Sequence, residues 1–222
     1  MSLKAELDAF RAQFMTKAPL EIRDAMARAD QQLSDSGILN RAMKAGDRVS
    51  DFTLPDARGG SLRFSSLLEK GPVVLTFYRG GWCPYCNLAL KALQRTLPEF
   101  TALGASLVAI SPQTPDESLS TAEKNELAFP VLTDTNSRIA KTFGIAFDLA
   151  EELRPIYSRF GHALPDKNGD DSWVLPVPAT FVIDRDGIVA LAFVDVDYRN
   201  RLEPAEIVTV LQSLVSRGTA GI

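Results

Sequence analysis

The sequence predicts an α/β protein with a central mixed β-sheet, helices on both faces, and a helical extension at the amino terminus. Three observations carry this. After Asp47, short β-rich runs alternate with stretches of helical spacing, the pattern of βα units. Near the carboxyl end, residues 180–183 and 189–194 are joined by Asp184-Arg185-Asp186-Gly187, a turn sequence that makes a hairpin and so adds antiparallel strands to a parallel sheet. Before Asp47 there is no β pattern, only two amphipathic stretches.

In chain order, Leu3, Leu7, Phe10 and Phe14 fall on one helical face, and Pro19 ends that helix. The same spacing resumes at Ile22, Met26, Ala29 and Leu33 and stops at Gly37. Residues 1–40 are therefore an extension, either packed on the main domain or serving as a lid or dimerisation arm, and residues 41–222 form the main domain. Residues 73–78 read as a buried strand, followed by a helix from Pro84 to about Leu97 with Leu90, Leu93 and Leu97 on one face. A strand over 106–110 precedes Thr114-Pro115-Asp116-Glu117, with Thr as N-cap, Pro at the first helical position and Glu at the third; that helix is expected to reach Leu127. A strand at Val131–Leu132 and a helix over 137–143 follow. Residues 146–175 read as an insertion with a short helix and a polar turn at Asp166–Asp171, and Pro204 opens a last helix through Leu214.

Composition narrows the function. At 45% apolar and 23% charged over 222 residues, the chain is an ordinary folded domain. With 24 Lys plus Arg against 28 Asp plus Glu and no basic cluster, it is not built to neutralise phosphates, so no nucleic-acid partner is expected. Glu6 and Asp8 interrupt any signal-peptide-like start, and no apolar run approaches the ~18 residues of a bilayer span, so no membrane partner and a cytoplasmic location are expected.

The chemistry sits in Gly80-Gly81-Trp82-Cys83-Pro84-Tyr85-Cys86, between the first buried strand and its helix. These two cysteines are the only ones in the chain. Proline prefers the first helical position, which puts Cys83 at the N-cap and Cys86 in the first turn. There the helix dipole and its unpaired N–H groups favour thiolate over thiol, and thiolate is the nucleophile toward peroxides and disulfides. A zinc site would need more ligands than two cysteines and the single histidine, His162, so neither metal nor other cofactor is expected. His162 itself reads as a surface or satisfied side chain. A structural disulfide would close too short a loop to stabilise much, in a compartment that keeps thiols reduced. Asp166–Asp170 has its glycine too early for a calcium loop, and Gly59-Gly60 and Gly80-Gly81 are turn glycines.

Gly46-Asp47, Asp51-Phe52-Thr53-Leu54-Pro55-Asp56, Val73–Tyr78 and the cysteine helix together resemble the peroxiredoxins of the alkyl hydroperoxide reductase and thiol-specific antioxidant group, over about 45–214. The family's active-site run, Phe-Tyr-Pro-x-x-x-Thr-x-x-Cys, lies without a gap on Phe77–Cys86. The resemblance implies a thioredoxin-like fold, makes Cys86 the peroxidatic cysteine, puts Cys83 at the family's threonine and Arg79 at its proline, and puts Pro178 where the family has an arginine. Trp-Cys-x-x-Cys and Val177-Pro178-Ala179-Thr180 also resemble thioredoxin-like disulfide reductases, whose cis-proline faces the cysteines, while Thr76 stands in place of their buried acid. The chain thus is most similar to a peroxiredoxin-like subgroup with a Cys-x-x-Cys site.

Two mechanisms follow. With hydrogen peroxide or an organic hydroperoxide as substrate, one thiolate becomes a sulfenic acid, the other cysteine condenses with it, and an external thiol such as a thioredoxin or glutaredoxin system reduces the disulfide. Arg79, Arg199 or Arg201 would then orient peroxide, although the ordinary expectation for each is a solvated side chain. With a protein disulfide as substrate, an exposed Cys83 would attack, Cys86 would resolve, and Trp82, Tyr85 and Pro178 would form the docking rim. A non-catalytic redox sensor is the third reading. The oligomeric state is left open, a homodimer included.

Overall fold

The computed structural model describes residues 1–219. Helices α1 (Leu3–Lys17) and α2 (Leu20–Asp35) open the chain and are followed by the single turn α3 (Ile38–Arg41). The Ser2 hydroxyl caps α1 by accepting from the Ala5 N–H. On α1, Leu3 and Leu7 are buried and Phe10 and Phe14 half-buried; on α2, Ile22 is buried and Met26, Ala29 and Leu33 half-buried, so both predicted faces point inward. A ribbon of β1 (Thr53–Pro55) and β2 (Ser61–Arg63) leads through α4 (Phe64–Leu68) into β3 (Val73–Phe77). Then come α5 (Pro84–Ala102), β4 (Ser106–Ser111), α6 (Pro115–Lys124), β5 (Val131–Thr133) and α7 (Arg138–Thr142). The remainder is β6 (Ala146–Asp148), α8 (Arg154–Arg159), α9 (Leu164–Asn168), β7 (Val174–Pro176), β8 (Ala179–Ile183), β9 (Val189–Val194) and α10 (Pro204–Thr219).

The sheet runs β5-β4-β3-β8-β9 and is mixed. Strand β3 is parallel to β4, with Val73 opposite Ser106, and antiparallel to β8, with Val73 opposite Ile183 and Phe77 opposite Ala179. Because β3 is central and covered on both faces, its residues form an unbroken apolar run apart from Thr76. Strand alternation sends Val74 and Tyr78 to one face, against Leu90 and Leu93 of α5 and Ile207 and Leu211 of α10. Val73, Leu75 and Phe77 go to the other, against Phe64, Ile139 and Phe143. Thr76, in the middle of this buried strand, shares a 3.3 Å hydroxyl contact with Thr180. Among the described residues no helix is long and apolar enough to cross a membrane.

Several boundaries differ from the sequence reading. Helix α5 continues through Pro98 to Ala102 instead of ending at Leu97; one backbone bond is lost at the proline, and the fully buried Phe100 anchors the final turn. Helix α6 ends at Lys124, three residues short of Leu127, because Glu126 takes a left-handed conformation with φ of 52°. The Thr114 hydroxyl accepts from the Glu117 N–H at 3.5 Å, but the Glu117 carboxylate turns to Lys167, 2.9 Å away, rather than back to the cap. Residues 146–176 are closed by a ribbon in which Ala146 pairs with Pro176 and Asp148 with Val174. Asp166, Lys167 and Asn168 lie in α9, so the expected polar turn begins only at Gly169, whose φ is 67°.

Candidate active site

The turn from β3 into α5 fixes the two sulfurs. Cys83 is the N-cap of α5 in an extended conformation and Pro84 is the first helical residue, so Cys86 falls in the first turn. The approach loop is pinned at Gly81, whose N–H donates to Gln113 Oε1 at 2.8 Å and whose carbonyl accepts from Asn87 Nδ2 at 2.8 Å. Only glycine fits there, since a Cβ would stand 2.2 Å from Thr121 Oγ1. Both cysteines are free thiols, and both are buried, at 2% and 1% exposure.

Their electrostatics are unequal. Burial pushes the Cys86 pKa up, but the Cys83 S–H donating to its sulfur, the nearby Arg201 guanidinium, the Arg79 backbone N–H and the Arg79 charge outweigh burial and bring it down to about 5. Cys83 moves the other way: burial raises it, as do its role as donor to Cys86 and the negative charge there. The arrangement is a thiolate at Cys86 held by a protonated Cys83. Thiolate character makes Cys86 the nucleophile of the pair.

Arg201 and Arg79 are not the solvated side chains that sequence alone suggests. Arg201 donates through Nη2 to Cys86 Sγ at 3.4 Å and through Nη1 to the carbonyls of Tyr198 and Asn200, the latter at 2.7 Å. Its loop is fixed internally, with the Asp197 N–H donating to Asp195 Oδ1 at 2.9 Å and Asn200 Nδ2 to Asp195 Oδ2 at 2.9 Å. Arg79 is 3% exposed. It donates to the Tyr157 hydroxyl, and its Cζ stands 4.2 Å from the Tyr198 ring centroid, 5.1 Å from that of Trp82 and 5.6 Å from that of Tyr157. Arg199 is a tether: it pairs with Asp30 of α2 and, at 2.5 Å, with Asp197.

The extension and the 146–176 segment cover the sulfurs. The Phe10 ring meets Tyr85 edge-on at 5.1 Å, and Tyr85 meets Tyr198 at 5.6 Å. Trp82 meets Tyr157 edge-on at 5.5 Å and stacks with His162 at 5.2 Å, so the histidine is half-buried against the site and burial lowers its pKa. The Glu203 carboxylate accepts from the Leu3 and Lys4 N–H groups, at 3.3 and 2.6 Å, an anion at the positive end of α1. Ion pairs Arg95–Glu6 at 2.8 Å and Arg11–Asp197 at 3.4 Å add to this seam.

Beneath the cover lies a cavity of about 350 Å³, walled by Phe10, Phe14, Trp82, Tyr85, Tyr157 and Phe160, with Cys83 and Arg79 also on its surface. A second cavity of about 310 Å³, toward α2, has Arg79, Tyr157, Tyr198 and Pro178 on its wall. Two expectations are thereby corrected. Cys83 is not exposed, because α1 and the 146–176 segment close over it. The Pro178 peptide bond is trans and the residue is buried, as is Tyr85, so no exposed rim of Trp82, Tyr85 and Pro178 exists. Tyr157 and Tyr198 went unnoticed in the sequence; Tyr198 stands inside the Asp197–Arg201 run singled out for its arginines, whereas Tyr157 carried no local signal.

Residues 45–192 match the family model described as the AhpC/TSA family. The chain is 37% identical over 114 residues to a putative peroxiredoxin of Mycobacterium tuberculosis, covering 51% of this chain and 74% of the relative. It is 31% identical over 173 residues to the chloroplastic peroxiredoxin Q of Populus jackii, covering 76% and 68%. Among solved structures, that of the peroxidoxin BcpB from Mycobacterium tuberculosis superposes with a TM-score of 0.61 at 28% identity, covering 78% of this chain and 98% of that one.

Proposed function

Because the chain belongs to the AhpC/TSA family and is a thiol-dependent peroxidase of the peroxiredoxin class, we propose that Cys86 is the sulfur that peroxide oxidises and Cys83 the one that resolves it. The observation that carries this is the Arg201 guanidinium donating to Cys86 Sγ at 3.4 Å in the first turn of α5, a setting that lowers the pKa of that sulfur while burial raises that of Cys83. The Cys86 thiolate attacks the distal oxygen of the hydroperoxide, the O–O bond breaks, and the leaving oxygen departs as alkoxide or hydroxide that takes up a proton. Arg201 faces the charge that develops in this step. Cys83, which carries the proton, then gives it up and attacks the Cys86 sulfenic acid, expelling water and forming the Cys83–Cys86 disulfide. An external thiol returns the pair to dithiol, which fits a cytoplasmic location where thiols are kept reduced. In this reading residues 1–40 are a cover for the site, and Trp82, Tyr85, Arg79 and Pro178 shape its surroundings without reacting.

A reductase of protein disulfides would need an attacking sulfur open to a protein loop and readily ionised, whereas Cys83 is buried and is the more basic of the two. Stopped-flow mixing of reduced protein with hydrogen peroxide, followed by tryptophan fluorescence, tests the assignment. Oxidation much faster than that of a free thiol, lost in Cys86→Ser and leaving a trappable sulfenic acid in Cys83→Ser, is expected. Oxidation no faster than a free thiol would overturn it.

A further inference from the structure

Arg79 is a buried cation with no carboxylate partner, and the negative charge it faces in the reduced protein, that of Cys86, is lost once the Cys83–Cys86 disulfide forms. Among the described residues no carboxylate pairs with it, its Nε has no hydrogen-bond partner, and Asp30, the acid on α2, is taken by Arg199. A guanidinium in such a place normally keeps a carboxylate or phosphate partner, because burying it unpaired is costly. Aromatic faces of Trp82, Tyr157 and Tyr198 offset part of that cost. The same guanidinium lies on the wall of the 350 Å³ cavity that also carries Cys83. Cys86 is not on that wall. The cavity therefore offers a resolving sulfur, a lone cation and apolar walls, in a space of small-ligand size.

We propose that this cavity is the binding site for the reductant, and that the reductant is a small organic thiol bearing a carboxylate, which pairs with Arg79 and attacks Cys83. The inference rests on the peroxidase reading only in needing the Cys83–Cys86 disulfide. The step balances as thiol–disulfide exchange. The thiolate of the reductant bonds to the Cys83 sulfur, the Cys83–Cys86 bond breaks, and the electron pair leaves on Cys86, the sulfur whose thiolate this site stabilises. A second molecule of the thiol attacks the reductant sulfur of the mixed disulfide, releasing the small disulfide and the Cys83 sulfur, which takes a proton. Two thiols are oxidised for each protein disulfide reduced.

The test uses the full chain, oxidised to the Cys83–Cys86 disulfide with diamide so that peroxide chemistry is not involved. Reduction is followed by tryptophan fluorescence with 3-mercaptopropionate, 2-mercaptoethanol, cysteamine and reduced thioredoxin, each rate divided by the rate of the same thiol with a small unhindered disulfide, which removes differences in ionisation and intrinsic nucleophilicity. 3-Mercaptopropionate is expected to react faster than cysteamine by about tenfold or more, a charge contact worth one decade or better. That preference is expected to vanish in Arg79→Gln, and Met26→Trp, which fills the cavity, is expected to slow the small thiols. In Cys86→Ser, incubation with the disulfide of 3-mercaptopropionate is expected to leave its adduct on Cys83, read by mass. Equal rates for the anionic and cationic thiols, or thioredoxin outrunning 3-mercaptopropionate, would overturn the proposal even with peroxidase activity intact. If Arg79→Gln does not fold, the charge series on the parent protein decides alone. Slow peroxide oxidation together with a clear charge preference would instead remove the peroxidase assignment and keep the thiol site.

Discussion

Replacing Arg201 with glutamine removes the one guanidinium that, among the described residues, donates directly to the Cys86 sulfur. A hydrogen bond from a charged donor to a charged acceptor is worth about 1.5–3 kcal/mol. At 3.4 Å to sulfur the lower half of that range applies, and with about 1.4 kcal/mol per pKa unit the Cys86 pKa is expected to rise by ~1–1.5 units from its present value of about 5. The shift is readable as the midpoint of thiolate absorbance at 240 nm during a pH titration of the reduced protein. At pH 7 most of Cys86 would still be ionised, so loss of thiolate explains little of any rate change there. A fall in peroxide reactivity at pH 7 of about tenfold or more would therefore report the lost stabilisation of the departing oxygen. Arg201→Lys separates charge from geometry: it keeps the cation and is expected to retain part of the pKa depression. An unmoved midpoint in Arg201→Gln would refute the role given to this residue, since Cys83 and the Arg79 N–H would then suffice.

Cys83→Ala removes the donor to the Cys86 thiolate and is expected to raise its pKa by about one unit, whereas Cys83→Ser keeps an O–H donor and is expected to shift it less; the same absorbance titration distinguishes them. The stability of the reduced protein is expected to depend on pH in a defined window. The lowered Cys86 pKa contributes stability that is fully present above the ordinary thiol value near 9 and is lost as pH falls toward about 5, while the raised Cys83 pKa contributes below 9 and loses its effect at higher pH. Thermal midpoints measured against Cys83→Ala/Cys86→Ala are therefore expected to rise from pH 5 to 9 and then turn over; a flat difference would contradict the paired thiol–thiolate. Phe10→Ala forfeits the edge-on contact with Tyr85 and part of a half-buried ring, about 1–3 kcal/mol, and is expected to speed alkylation of Cys83 by uncovering it. Gly81→Ala, with a Cβ 2.2 Å from Thr121 Oγ1, is expected to displace the loop before Cys83 and to lower both stability and peroxide reactivity, measured by thermal melting and stopped flow.

The sheet was legible because its strands are short, apolar and punctuated. Val73–Phe77 has no helical alternative at that length, and Asp184–Gly187 can only be a tight turn. The cysteines were legible for the same local reason, a proline that fixes the helix start between them. What sequence does not carry is distance across the chain. Arg201 reaches Cys86 from 115 positions away, and Tyr157 meets Arg79 across 78. An arginine between a glycine and a tyrosine looks like any surface arginine until the tyrosines that enclose it are placed. Helix ends were misjudged where a tertiary contact overrode local preference, as at Pro98, where buried Phe100 holds the helix beyond the proline.

The ribbon of β6 and β7 has an evolutionary corollary. Because Ala146 and Pro176 are paired neighbours, the chain departs from the domain and returns to it at nearly one point. The segment between them leans on the site through Tyr157 and His162, while the sulfur-bearing turn is also pinned from within the domain at Gly81, so the segment's outward-facing positions are free to change in length and sequence. Arg201 reaches Cys86 from outside this segment, whereas the segment walls the cavity at Cys83, so changes at its cavity-facing positions alter which co-substrate is admitted while the contact from Arg201 to the attacking sulfur stays in place.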